Sequence, residues 1–232
     1  MIKDIFINLV SSGFTWIISC VYHSRRSVRI WCQSIIRWNK PIRLSCAYLF
    51  QIKYKNKYLL IKGSRIEQYQ PVGGVYKYYN SFNGIKEEME LKDETENRFY
   101  ELGDLRQITK GKHLLKFIQW FDTNKNREVM VMRELVEELE PLSISFNEFI
   151  NNLEIEYLKT EMEPIKFSQH FKMDEQKIFN IYSVRFSEET LEKIFSYKGD
   201  NYCFVEAEDI DKLCFMNGEL SRRISETAKY II

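Results

Sequence analysis

The sequence predicts an α+β fold in which helices pack on a mixed or antiparallel sheet, and three observations support this. From Leu44 onward, runs rich in β-branched and aromatic residues alternate with short polar turns, which is typical of strands. Segments with helical spacing of apolar residues occur within the same part of the chain. Hydrophobic residues make up 44% and aromatic residues 15% of the 232 residues, so the chain can bury the core of one globular domain.

The N-terminal segment differs in character from this domain. Residues 5–22, IFINLVSSGFTWIISCVY, carry no charge and predict a helix close to the length of about 17–25 residues that spans a bilayer. A cleaved signal peptide is disfavoured because no small-x-small site ends the run. We therefore predict a membrane-anchor helix. The alternative is a buried hairpin, formed by residues 5–38, on a soluble domain.

A basic segment follows the apolar one. Residues 1–66 contain twelve Lys and Arg and a single acid, Asp4, whereas the remainder of the chain is acidic. Between residues 25 and 43 the basic side chains alternate with Trp and aliphatic side chains, as in an amphipathic helix at an anionic membrane surface. The positive-inside rule places this flank and everything after it in the cytoplasm. The five scattered cysteines predict neither a disulfide framework nor a zinc site.

The first predicted element of the domain is a β-hairpin. Its strands, RLSCAYLFQIKY and KYLLIKG, are joined by a polar KNK turn in which Asn56 can take a positive φ. Pro71 and the pair Gly73 and Gly74 then interrupt the sheet, where glycine lets the backbone approach another group closely. Residues 80–110 are polar and show no recognisable chemistry.

The remaining elements alternate between helices and strands. The stretch GKHLLKFIQWF predicts a helix, and SFNEFINNL predicts another with Ser145 as its cap. We predict antiparallel strands in EIEYLKTEM, IKFSQHF and KIFNIYSVRFS, a capped helix in SEETLEKIF, a last strand in NYCFVEA, and closing helices in EDIDKLC and GELSRRISETAKYI.

The stretch RELVEEL, residues 133–139, carries the most specific chemical signal. On a helix, Glu134 and Glu138 lie one turn apart and Glu137 lies beside both. Three neighbouring carboxylates repel one another unless a cation or Arg133 balances them, and Mg²⁺ prefers such oxygen ligands. A metal held there could bridge a diphosphate and activate water. The alternative is an ordinary solvated, acidic helix face.

Together with the preceding hairpin and PVGG, RELVEEL resembles the Nudix box. The resemblance implies an α/β/α sandwich around a mixed sheet. It also implies that Arg133 orients three metal carboxylates, which are catalytic only if the domain is a hydrolase. These are Glu134, Glu137 and Glu138.

The box departs from the family pattern at several positions. Glu140 replaces its closing glycine, Gln119 and Lys125 occupy the places of the upstream glycine and glutamate, and Glu128 is out of register. About 60 residues separate the glycine pair from the helix, instead of a short loop. We therefore expect a degenerate Nudix domain more readily than a hydrolase. Mg²⁺ would be its cofactor if it is active, and a sensor would require none.

The whole domain resembles the SMODS-associated Nudix domain, which is the sensor half of an effector in bacterial CBASS antiphage systems. The segments that carry this resemblance run from IRLSCAYLFQIKY through GDLR and LLKFIQWF to RELVEEL. We expect a transmembrane and juxtamembrane segment at residues 1–40 and a Nudix-like domain at residues 41–232, with an insertion at about 78–112. The resemblance implies that a partner nucleotidyltransferase makes a cyclic oligonucleotide, that the domain binds it, and that a homo-oligomer then disrupts the bacterial inner membrane.

Phosphate groups of such a ligand need positive partners. The candidates are Arg65, Arg106 and the backbone of Gly73 and Gly74, with Tyr69 or Tyr76 stacking on a base. In the alternative interpretation, the arginines are surface or ion-paired residues, the glycines form a bulge, and the tyrosines belong to the core.

Two other functions stay open. One is an Mg²⁺-dependent hydrolase of nucleoside diphosphate-linked substrates. The other, a soluble nucleic-acid-binding module, is disfavoured because the basic residues follow a long uncharged run instead of alternating with aromatics on a strand face. We therefore predict no nucleic-acid partner.

Overall fold

The computed structural model describes residues 25–63, 66–94, 103–129, 131–140, 153–197, 199–218 and 220–232, without the side chain of Glu134. Six helices are described: α1 (Arg25–Ile36), α2 (Asn83–Glu88), α3 (Leu114–Asp122), α4 (Met132–Leu139), α5 (Glu188–Ser196) and α6 (Ala207–Lys212). Short 3₁₀ turns occur at Asn80–Phe82, Gly111–His113 and Glu226–Ile231.

The central strand of the sheet is β1 (Pro41–Tyr54), which is paired along both edges. On one edge it runs parallel to β9 (Met173–Arg185). Its other edge is shared by three shorter antiparallel strands, β2 (Lys57–Lys62), β4 (Gly73–Val75) and β6 (Arg106–Lys110). The sheet is therefore mixed, as the sequence predicted.

The outer strands extend this centre on both sides, and all of them pair in antiparallel fashion. The strands β3 (Tyr69–Pro71) and β10 (Tyr202–Val205) pair with β2, β5 (Lys92–Asp93) pairs with β6, and both β7 (Glu154–Met162) and β8 (Lys166–Ser168) pair with β9.

Two buried clusters lie on opposite faces of the sheet, because successive side chains of a strand alternate between its faces. Phe50 of β1 packs in the larger cluster with Phe117 of α3 and Leu135 of α4. Its neighbour Leu49 packs in the smaller cluster with Ile210 of α6 and with residues of the last 3₁₀ turn. Helical segments therefore cover both faces of the sheet.

Local sequence signals locate several elements correctly. The predicted hairpin forms between β1 and β2, and its two turn residues, Lys55 and Asn56, have φ values of 47° and 61°. This double positive φ is typical of the tight turns that match strand twist. Ser187 caps α5 by accepting a hydrogen bond from the Thr190 amide, and RELVEEL forms most of α4. The helix predicted after Pro141 lies outside the described residues.

The prediction for the C-terminal segment is wrong in part. NYCFVEA is not the last strand, because β11 (Cys214–Asn217) and β12 (Leu220–Arg223) form a further antiparallel hairpin. Gly218 lies between these strands with a φ of 62°, a conformation that reverses the chain. Ser225 then accepts a hydrogen bond from the Thr227 amide, which begins a 3₁₀ turn in place of the predicted helix.

The basic amphipathic helix is present as α1, and one side of it packs on the domain. Ile30 lies in the larger cluster, and the Ser34 hydroxyl donates a 2.6 Å hydrogen bond to the Gly111 carbonyl. Within the described ranges, no helix has both the length and the apolar character needed to span a bilayer. The anchor predicted at residues 5–22 lies outside those ranges.

Candidate functional site

Arg133 of helix α4 forms ion pairs with one carboxylate that precedes the helix in the chain and with one carboxylate of the helix itself. Arg133 Nε lies 3.3 Å from Glu128 Oε1, and another Arg133 nitrogen lies 3.2 Å from Glu137 Oε2. Glu128 is buried, and its amide donates a 2.7 Å hydrogen bond to the Lys77 carbonyl, which fixes it beside the helix. Sequence spacing placed Glu128 out of register, yet its carboxylate is a partner of Arg133.

The described part of α4 contains one ion pair between side chains of the helix. Glu137 is paired with Arg133, and the Glu138 carbonyl accepts a 2.6 Å hydrogen bond from the Tyr202 hydroxyl. Burial, followed by the neighbouring Glu138 charge, raises the pKa of Tyr202 to about 12. Among the side chains that the structure describes, no three His, Cys, Asp or Glu groups gather as metal ligands. The predicted metal set depends on Glu134, whose side chain is not described.

The predicted glycine pair lies against the central strand. A Cβ on Gly73 would lie 2.2 Å from the Tyr48 carbonyl oxygen, so glycine is needed for β4 to pair with β1. Gly74 pairs with Tyr48 in the same register. The close approach that the sequence predicted is therefore made to another strand. A role of these glycines in ligand binding stays a prediction.

The structure describes one of the two arginines that were predicted to contact the ligand. Arg106 lies on β6 and forms a 2.7 Å ion pair with Asp104, in which both side chains are largely buried. Arg65 lies outside the described residues. Their roles as ligand contacts stay predictions.

A cavity of about 580 Å³ lies elsewhere, where the end of α3 and the following loop face β7 and β9. Small-molecule sites commonly occupy about 300–1,000 Å³. The lining combines rings and amides with charges of both signs. Phe121, Asp122, Asn124 and Arg127 come from α3 and its loop, Tyr157 and Thr160 from β7, Asn180 and Tyr182 from β9, and Arg26 from α1.

A hydrogen-bond network fixes the strand side of this cavity. Thr160 donates to the Asn180 side-chain oxygen at 2.8 Å, and the Asn180 amide donates to the Tyr76 hydroxyl at 2.8 Å. The hydroxyls of Tyr76 and Tyr182 lie 3.0 Å apart. Burial, followed by the Tyr182 hydroxyl, raises the pKa of Tyr76 far above its usual range, so the Tyr76 hydroxyl stays uncharged. Tyr76, predicted either to stack on a base or to pack in the core, is fully buried.

Arg127 supplies a buried positive charge beside this network. Its side chain is only 2% exposed, and its guanidinium carbon lies 4.3 Å from the centre of the Tyr76 ring and 4.0 Å from that of Phe121. It donates to the carbonyls of Phe121 and Glu128 and to the Asn124 side-chain oxygen, all of them neutral acceptors. No carboxylate in the part of the chain that the structure describes forms an ion pair with it.

An isolated buried cation is unfavourable unless an opposite charge compensates it. The cavity therefore favours an anion near Arg127, while the rings and amides around it offer stacking and hydrogen bonds. The sequence did not single out Arg127, which stands within the polar turn DTNKNREV. Only its burial and its neighbours distinguish it from a surface arginine.

A family model of the SMODS-associated NUDIX domain matches residues 41–232 of the chain. A search of curated proteins finds no match.

Proposed function

The chain belongs to the SMODS-associated NUDIX domain family, and we propose that it senses a cyclic oligonucleotide as the effector of a bacterial CBASS antiphage system. A partner nucleotidyltransferase would supply this ligand. Binding would then activate a homo-oligomer that disrupts the inner membrane, with the Nudix-like domain on the cytoplasmic side.

The observation that carries the sensing proposal is the buried guanidinium of Arg127 beside the cavity, with which no carboxylate of the described residues forms an ion pair. A phosphate diester supplies a negative charge beside this cation, and the attraction is electrostatic because the Nε and Nη groups of Arg127 already donate to protein acceptors. The Tyr157 and Tyr182 rings offer faces on which a base can stack, and the Asn180 amide offers hydrogen bonds to a base edge. Phosphate and base recognition therefore occur within one cavity.

Binding without turnover is favoured over hydrolysis by the state of α4. Arg133 is engaged with both Glu128 and Glu137, so two carboxylates already have a positive partner in the protein itself. The hydrolase alternative draws its support from the retained Arg133 and the three glutamates, which the family pattern assigns to Mg²⁺.

Membrane attachment is supported by the outer side of α1. Trp31 is 54% exposed, Ile36 is 70% exposed, and Trp38 just after the helix is 54% exposed, while Arg25 and Arg29 lie on the same exposed helix. Tryptophan, aliphatic and basic side chains together suit the interface of an anionic membrane. This helix directly follows the predicted anchor at residues 5–22.

Calorimetric titration of the full-length protein tests the proposal. The probes are cyclic dinucleotides and cyclic trinucleotides of adenine and guanine, followed by nucleoside diphosphate derivatives with Mg²⁺, and product formation is measured in parallel by chromatography. We expect a cyclic oligonucleotide to bind without product and with the same affinity in Glu138→Gln. Turnover that Glu138→Gln abolishes would establish the hydrolase instead.

A further inference from the structure

Helix α1 contributes Arg26 to the lining of the cavity. This guanidinium donates to both carboxylate oxygens of Asp122, the last residue of α3, at 3.0 and 3.2 Å. The two side chains are 48% and 45% exposed, and exposed ion pairs of this kind contribute little to stability. The pair can therefore be exchanged for another at small cost.

Different contacts hold the two ends of α1. Its C-terminal half is fixed by the bond from Ser34 to the Gly111 carbonyl at 2.6 Å and by the 2.9 Å ion pair between Arg37 and Asp174. A Cβ on Gly111 would lie 2.2 Å from the Arg37 carbonyl oxygen, so the backbones touch there. At the N-terminal turn, by contrast, the helix carries the exposed pair of Arg26 with Asp122. The pair of Arg26 with Asp122 is therefore more exposed than the pair of Arg37 with Asp174.

Arg26 also stands at the boundary between two cavities. A second cavity of about 240 Å³ is lined by Arg26 and Thr160, which line the larger one as well, and by Arg25 and Arg29 of α1. A ligand that fills the larger cavity can therefore contact Arg26 as well as Arg127. A cyclic oligonucleotide carries more than one phosphate, so it can present an anion to each of these arginines.

We propose that Arg26 is a ligand-binding residue and that a ligand phosphate replaces Asp122 as its partner. This inference rests on the proposed function and extends it to regulation. Both partners are anions that bind guanidinium through two hydrogen bonds, so they compete for the same donors. After the exchange, the N-terminal turn of α1 is bound to the ligand through Arg26 and no longer to α3 through Asp122. Binding is thereby transmitted to the N-terminal turn of α1.

Such a signal requires the ligand to favour one state, because a ligand shifts an equilibrium only by its differential affinity. Here the contact between phosphate and Arg26 exists only after the exchange. Asp122→Asn removes the competing anion and Arg26→Gln removes the guanidinium donor, so the two substitutions must have opposite effects on ligand affinity. A pair that only positions the helix would give both substitutions the same sign.

The test uses the full-length protein in lipid nanodiscs and the tightest-binding cyclic di- or trinucleotide of adenine or guanine. We expect Arg26→Gln to weaken binding about tenfold, as loss of a charged ligand contact does. Asp122→Asn should tighten binding about threefold, the scale of an exposed ion pair. The double variant should bind like Arg26→Gln, because the gain needs Arg26. Hydrogen exchange of the amides at 25–29 should respond to ligand in the wild type and not in Arg26→Gln.

The matched control is Arg185→Gln, which removes an arginine from an exposed ion pair with Glu156 on the same sheet and should leave affinity unchanged. Wild-type affinity in Arg26→Gln would overturn the inference and leave the proposed function intact. A gain from Asp122→Asn that persists in the double variant would also overturn it, because the effect would then be general charge repulsion. Failure of every probe to bind the wild-type protein would overturn the proposed function itself, and this inference with it.

Discussion

The guanidinium carbon of Arg127 lies 4.0 Å from the centre of the Phe121 ring, and Arg127 donates a hydrogen bond to the carbonyl of the same phenylalanine. The end of α3 therefore supplies both the stacking surface and the acceptor that hold this buried cation. Because these partners are neutral, the charge of Arg127 stays available to a ligand in the adjoining cavity.

Arg127→Gln should weaken cyclic oligonucleotide binding at least tenfold, which corresponds to about 1.4 kcal/mol. The substitution removes the positive charge of Arg127, which is the only charged residue that the loop after α3 contributes to the described lining of the cavity. Ligand titration at two salt concentrations measures the affinity, and the affinity should depend less on salt in the variant than in the wild type. Arg106→Gln is the comparison, because Arg106 is paired with Asp104. A larger loss of affinity in Arg106→Gln would contradict a site at Arg127 and would favour the residues first predicted from the sequence.

Tyr76→Phe should lower the free energy of unfolding by about 1–3 kcal/mol, the cost of leaving a buried donor unsatisfied. The affected donor is the Asn180 amide, which loses its 2.8 Å contact with the Tyr76 hydroxyl. Urea unfolding measures the change. In Tyr79→Phe, where the ring is 55% exposed, the change should stay within about 0.5 kcal/mol. Equal effects of the two substitutions would contradict a structural role for the network.

Gly73→Ala should destabilise the protein by about 3 kcal/mol, at the upper end of overpacking costs. The added Cβ would lie 2.2 Å from a backbone oxygen of β1, so the strands must separate. Gly84→Ala is the matched control on α2, because its added Cβ would meet no described atom within 4 Å outside its chain neighbours and its own helix backbone. It should stabilise the helix by up to about 1 kcal/mol. Thermal unfolding of both variants is the measurement, and a neutral Gly73→Ala would refute the required close approach.

Acid stability should depend on Glu90. Hydrogen bonds from Lys110 and Lys112, followed by one involving His113, lower the pKa of Glu90 from 4.5 to about 2. A carboxylate with a lowered folded-state pKa stabilises the protein above its unfolded-state pKa, and this contribution is lost as the pH falls through the folded-state value. The stability difference between wild type and Glu90→Gln should therefore be full above pH 4.5 and disappear towards pH 2.

Urea unfolding at intervals between neutral pH and pH 2 measures this difference. Glu189→Gln is the control, because Glu189 has an exposed ion pair with Lys193 on α5 and such pairs contribute little. A difference for Glu90→Gln that stays constant with pH would rule out the ion pairs as its source.

The local sequence was sufficient where one short segment fixes the structure. The turn at Asn56, the cap at Ser187 and the helix in RELVEEL each depend on residues within a few positions of one another. It was insufficient for the C-terminal segment, where polar and apolar spacing permitted a helix. There Gly218 reverses the chain, and pairing of β12 with β11 outweighs helix propensity.

The sequence by itself determined the α+β class, the family and the retained Arg133 of the box. Only the tertiary structure decided which groups form the cavity. Arg26, Arg127 and Asn180 are far apart along the chain, and they meet because β1 pairs with β9 and α1 packs on the domain. The physical reason is burial. An arginine in a polar turn has no distinctive sequence pattern, and only the surrounding fold, which removes its charge from water, distinguishes it from a surface arginine.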